Sequence, residues 1–143
     1  MAGARCGAAA VEFALLVPVL LAVVIPVVDL GMGFYQKMQV EDAAQAGAQY
    51  ALAHGFNTAA IQNAVTSTTS LPSITATPAP AQSCGCPAGT SITAASCGST
   101  CSNGLQAGTY VTVNATAVYH PLITYAALGT SVTLTAQSLV RIK

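Results

Sequence analysis

Few side chains in this 143-residue chain are equipped for chemistry, and two sets stand out by their spacing. The first is Glu12, five residues after Gly7 and at the head of the uncharged stretch Phe13 to Val28. Those sixteen residues make about 24 Å of helix, short of a hydrocarbon core of about 30 Å. Extending the stretch back to Ala8 gives twenty-one residues and a full span, and it places Glu12 within the membrane. An ionised carboxylate there costs about 2.5–3.5 kcal/mol and calls for a partner. A free α-amine would serve. If the chain is cut after Gly7, the new Ala8 ammonium lies at the depth of Glu12 in a neighbouring copy, and pairing cancels two charges that are each unfavourable in lipid. The alternative puts Glu12 on the cytoplasmic flank of an ordinary anchor whose helix starts later.

The second set is Cys84, Cys86, Cys97 and Cys101. Four cysteines in a segment on the far side of a membrane read as two disulfides, with three possible connectivities. Pairing Cys84 with Cys101 and Cys86 with Cys97 would nest the loop, and spacing alone does not choose it. An all-thiolate zinc site is the competing chemistry. Against it, the C-x-C and C-x3-C spacings differ from paired C-x2-C knuckles, and no basic side chain lies near in sequence to stabilise thiolates. Cys6 precedes the apolar run, the wrong side for a lipoprotein cysteine, and would leave with residues 1–7.

Beyond these sets the chain offers no catalytic constellation. His54 falls at a helix end, where a cation favours the dipole, and His120 precedes Pro121 in a turn. Asp29, Glu41 and Asp42 make no carboxylate pair beside a nucleophile, and there is no phosphate loop or G-x-S-x-G elbow. Asn114-Ala115-Thr116 matches a glycosylation triplet by chance, inside a strand pattern. We therefore expect no enzyme, no cofactor and no metal. The four basic and four acidic residues are unevenly placed, with no formal charge between Asp42 and Arg141. So neutral a stretch has no basic footprint for nucleic acid. It is expected to pack in part against other subunits.

The elements that must hold these residues begin with one long helix from about Ala9 to His54. Pro18 and Pro26 each remove a backbone bond and should kink it, which membrane helices tolerate. Asp29, about 30 Å from Ala8, falls at the outer interface as the end of the span. Ala43, Gly47 and Ala51 then recur every fourth residue, a face without bulk that lets another backbone come close, that of this chain's own domain or of another helix. Gly55 would cap the helix. Thr58 to Thr66 suits a short second helix, and Leu71 to Thr77 an edge strand. Val111 to Tyr119 and Val132 to Ile142 alternate apolar and polar residues, as strands with one buried face do. Paired antiparallel, they would cover one side of the long helix. The fold class is therefore α+β, a long N-terminal helix on a small antiparallel sheet with a disulfide-braced loop at 84–101.

Arg5-Cys6-Gly7-Ala8-Ala9-Ala10-Val11-Glu12-Phe13-Ala14-Leu15-Leu16, followed by Pro18-Val19-Leu20, Val28-Asp29-Leu30-Gly31 and Phe34-Tyr35, resembles the start of TadE-like proteins. These are minor pilins or pseudopilins of Flp/Tad-type bacterial pili. The Gly7 to Glu12 spacing is the one a prepilin peptidase cuts. Ala43 to Ala51 fits the small-residue helix that follows in that family, and Val111 to Pro121 and Leu134 to Arg141 fit its strand pattern. Phe13 stands where major Flp pilins carry Tyr, which suits TadE-like proteins better. The segment 57–108 carries no resemblance.

The resemblance implies a leader at 1–7 removed between Gly7 and Ala8, a helix at 8–55 spanning the membrane at about 8–28, and an extracytoplasmic domain at 56–143. Arg5 before the span, with Lys37 beyond it offset by Glu41 and Asp42, puts the N-terminus in the cytoplasm. The domain would then lie in the periplasm of a bacterial inner membrane, or outside the cell if the chain joins the pilus. Implied partners are the lipid bilayer, the major Flp pilin, other pseudopilins, the prepilin peptidase and the inner-membrane assembly platform. Implied roles are pilus assembly, adhesion and biofilm formation. The alternative is a single-pass periplasmic protein with a cysteine-rich redox or metal module, indifferent to Glu12.

Overall fold

The computed structural model describes residues 5–89, 91–123 and 129–143. The first four residues of the expected leader lie outside the described residues. One helix, α1 (Arg5–His54), carries 50 residues, about 75 Å of rise. Pro18 and Pro26 both lie within it. Gly55, at φ 81°, ends it by donating its amide to the Ala51 carbonyl at 2.9 Å, a left-handed cap that costs glycine no Cβ clash. A short helix follows, α2 (Thr58–Ser67). Asn57 caps it, accepting from the Ala60 amide at 3.1 Å, which satisfies one of the donors that a helix start leaves open.

Four strands follow: β1 (Ala81–Ala88), β2 (Ser91–Ala94), β3 (Gly108–Tyr119) and β4 (Val132–Arg141). They form one antiparallel sheet in the order β2-β1-β3-β4. The two strands with the clearest alternation, β3 and β4, pair along their length from Tyr110 opposite Arg141 to Tyr119 opposite Val132. Their apolar positions face α1: Val111, Val113, Ala115 and Ala117 are buried, while Thr133, Thr135 and Gln137 point outward. The architecture is α+β, an apolar N-terminal helix laid on an antiparallel sheet.

Two expectations need correction. Leu71 to Thr77 is not a strand. It makes a single bridge, Thr75 opposite Thr116, and the polar groups around it bond to β3 instead, Thr116 Oγ1 donating to the Thr77 carbonyl at 2.9 Å and Asn114 Nδ2 to that of Pro78 at 3.3 Å. Prolines at 72, 78 and 80 remove the amides that a longer ladder would need. The segment 84–101 is also more regular than a braced loop, since it opens with the β1–β2 hairpin. Its alternation is hidden because most of its residues are small or cysteine.

The core lies where the C-terminal third of α1 meets α2 and β3. Val40, Ala43, Ala44, Ala48 and Ala51 pack on Ile61 and Val65 and on the inward residues of β3. Ala43, Gly47 and Ala51 are buried in this layer, within the chain's own domain. A Cβ on Gly47 would sit 2.7 Å from Val65 Cγ2 and 2.8 Å from Val113 Cγ1. In an exposed helix Gly→Ala gains about 1 kcal/mol, whereas overpacking a close-packed core costs about 1–3 kcal/mol. Gly47→Ala is therefore expected to destabilise the domain, seen as a lower denaturation midpoint of the detergent-solubilised chain. A higher midpoint would show that the layer can open without loss.

Candidate functional site

The N-terminal stretch of α1 stands clear of the domain. Val11, Leu15, Leu16, Leu20, Val23 and Val27 are each more than half exposed, and the most apolar window of the helix has none of its residues buried. Such a surface, apolar all round, is stable in lipid and not in water. It is the one helix among the described residues long and apolar enough to cross a membrane.

Gly7 and Glu12 both lie on this exposed stretch. Apart from its chain neighbours and its own turn of helix backbone, no described heavy atom lies within 4 Å of where a Cβ on Gly7 would be. Glu12 is exposed among apolar neighbours, and the ion pair found among the described side chains joins Lys37 to Glu41 at 3.1 Å. The N-terminal third of α1 therefore offers a carboxylate set in an apolar surface.

Asp29 is placed quite differently from a helix residue merely ending a span. It is 1% exposed, and its carboxylate accepts hydrogen bonds from the Tyr119 hydroxyl and from the Leu122 amide, the latter at 2.9 Å. The Tyr119 hydroxyl also lies 2.7 Å from the Asp29 carbonyl. Gly33, one turn further on, makes room for the tyrosine ring, since its Cβ would lie 3.3 Å from Tyr119 Cε1. Leu30, Phe34, Pro121, Val132 and Leu134 complete an apolar groove around this junction. Just above it, Lys37 Nζ donates to the Thr135 carbonyl of β4, covering part of the sheet edge with a charge, as edge strands commonly require.

Sequence reasoning placed Asp29 at the interface and Tyr119 on the inward face of β3, and it missed that they meet. The available signal was the pair Asp29 and Gly33, an acid and a gap one turn apart on one helix face. Nothing local connects that pair to a tyrosine 90 residues away.

At the far end of the sheet the four cysteines form two disulfides, Cys84–Cys97 and Cys86–Cys101. The connectivity interlocks where the nested alternative would have enclosed one bridge within the other. Cys84 and Cys86 alternate along β1, so both sulfurs leave the same face of the sheet, and the chain after β2 crosses that face to meet them in order. Gly85 between them sits so close to β2 that a Cβ would lie 2.8 Å from the Thr93 carbonyl oxygen. Paired in this way, the four sulfurs are not available as thiolate ligands, and among the described residues no group of three or more His, Cys, Asp or Glu side chains is placed to hold a metal ion. His54 stacks on Tyr50 with ring centroids 4.5 Å apart, and His120 Nδ1 lies 3.3 Å from the Thr130 carbonyl oxygen.

Residues 7–49 match the family model of TadE-like proteins. The match includes Gly7, Glu12, Asp29, Gly33, Ala43 and Gly47, and it ends inside α1, before α2 and the sheet. No curated protein and no solved structure matches the chain. The likeness to TadE-like proteins therefore rests on α1, less than half of the chain.

Proposed function

We propose that this chain is a minor pilin or pseudopilin of a Tad pilus, made with a leader at 1–7 and processed by a prepilin peptidase between Gly7 and Ala8. The observation that carries the reading is Glu12, five residues beyond Gly7 on an exposed apolar helix within the family match. A lone carboxylate on such a surface is costly in lipid, and cleavage creates the cation that would neutralise it in an assembled neighbour. The helix at 8–55, spanning at about 8–28, then packs among the helices of the major Flp pilin and other pseudopilins. The platform in the inner membrane drives assembly, and the domain at 56–143 projects into the periplasm or joins the extracellular fibre. Adhesion and biofilm formation follow from the fibre's presence. The redox or metal reading draws no support from sulfurs that are bonded in pairs.

The test is the intact mass and N-terminal sequence of the protein purified from its own membrane, with and without the peptidase. The expected result is a chain that begins at Ala8 only when the peptidase is present. An uncleaved Met1 start in both preparations would leave an ordinary membrane anchor and remove the pilin reading.

A further inference from the structure

We propose that Leu122 and Ile123, just after β3, are a second membrane contact, dipping into the outer-leaflet interface beside the helix so that the domain rests on the bilayer. The inference builds on the reading of α1 as a membrane anchor. From Ala9 to Asp29 the helix rises about 30 Å, the thickness of the hydrocarbon core, so Asp29 marks the outer boundary. The Leu122 amide donates to the Asp29 carboxylate at 2.9 Å. That bond fixes the height of Leu122, and a residue tied to the end of the span lies at the lipid interface.

What this position presents is apolar. Leu122 is 74% exposed and Ile123 39% exposed. Around Asp29 itself, Leu30 and Phe34 stand on the same face of α1, one turn apart, and are also more than half exposed. Phe34 lies about 7 Å beyond Asp29 along the helix axis, within the headgroup layer, where Tyr35 adds the aromatic ring that membrane interfaces favour. No formal charge occurs from His120 to Gly129. Leu30 and Phe34 line the groove around Asp29 together with Pro121, the residue before Leu122, and Leu30 continues the exposed run of Val27 and Val28 on the span. A lipid surface suits it by depth, neutrality and continuity. The bonds that the Asp29 carboxylate accepts from Tyr119 and Leu122 gain a purpose beyond satisfying a charge, since they hold Leu122 and Ile123 down at the bilayer.

The chain contains no tryptophan, so single substitutions give clean probes in the full chain reconstituted in phosphatidylcholine vesicles. Leu122→Trp, with Ile123→Trp as a second variant, is compared with Val19→Trp at mid-span and Leu105→Trp on the cysteine-bridged end. Both comparison sites are more than half exposed in the chain. The expected result is quenching of Leu122→Trp by lipid brominated near the glycerol end of its acyl chains, of Val19→Trp by lipid brominated near the terminal methyl, and of Leu105→Trp by neither. If the Leu122 and Ile123 variants both behave like Leu105→Trp while Val19→Trp is quenched, the domain stands off the membrane and the proposal falls alone. Shielding of both from lipid bromine and from an aqueous quencher would mean that protein covers the patch, which also overturns it. An unquenched Val19→Trp would remove the anchor reading and this inference with it.

Discussion

Glu12→Ala is expected to abolish pilus production while leaving membrane insertion intact. The two halves of that result come from one cost. A carboxylate within a span disfavours insertion by about 2.5–3.5 kcal/mol, so a helix needed only as an anchor gains by losing it. Val11, Phe13, Leu15 and Leu16 around it are exposed and apolar, and the ion pair found among the described side chains lies elsewhere, between Lys37 and Glu41. Its proposed use is therefore intermolecular, in the pair with the Ala8 ammonium of the next subunit. Without the carboxylate, that ammonium enters the bundle with no counter-charge, and breaking a buried pair by removing one partner costs about 3–5 kcal/mol. A loss of that size at every docking step reduces occupancy more than a hundredfold. Glu12→Lys should fail at least as completely, since two cations would then meet. Electron microscopy of the cells, together with membrane fractionation of the variant, reads both halves. Wild-type piliation by Glu12→Ala would remove the assembly role.

How much of this was legible in the sequence depended on whether the determining contacts were local. The strand alternation from Val111 to Tyr119 and from Val132 onward could be read directly, because a period of two with one buried face is written in adjacent residues, and the pairing of β3 with β4 bears it out. The helix was legible by its length and by Gly55. The Ala43, Gly47, Ala51 stripe announced a close approach but not its partner. The same absence of side chains suits another subunit's helix as well as Val65 and Val113. The hairpin of β1 and β2 was not legible, since cysteine, glycine, serine and proline carry little strand propensity and the disulfides and backbone pairing supply what propensity does not. The interlocked connectivity depends on which face of β1 the sulfurs leave, and spacing alone could not settle that without the strand.

Asp29 was the farthest from legibility, and it carries the second large effect. Asp29→Ala is expected to destabilise the domain by about 3–6 kcal/mol, since each hydrogen bond to a charged group contributes about 1.5–3 kcal/mol and the carboxylate accepts from both Tyr119 and Leu122. If Asp29 merely ended the span, the sign would reverse, because removing a charge at the hydrocarbon boundary favours insertion and costs the domain nothing. Thermal unfolding of the detergent-solubilised chain separates the two. The contact reading predicts a lower unfolding temperature and faster proteolysis after Tyr119, and the boundary reading predicts neither. Tyr119→Phe sharpens the test. It keeps the ring against Gly33 and deletes only the hydroxyl, so its loss should be smaller, and in the double variant the two losses should sum to more than the measured effect because both remove one shared bond. Strict additivity would mean that the hydroxyl and the carboxylate act separately. A shortfall would show that one buried bond ties the membrane helix to the end of β3 and sets the height at which the domain is carried.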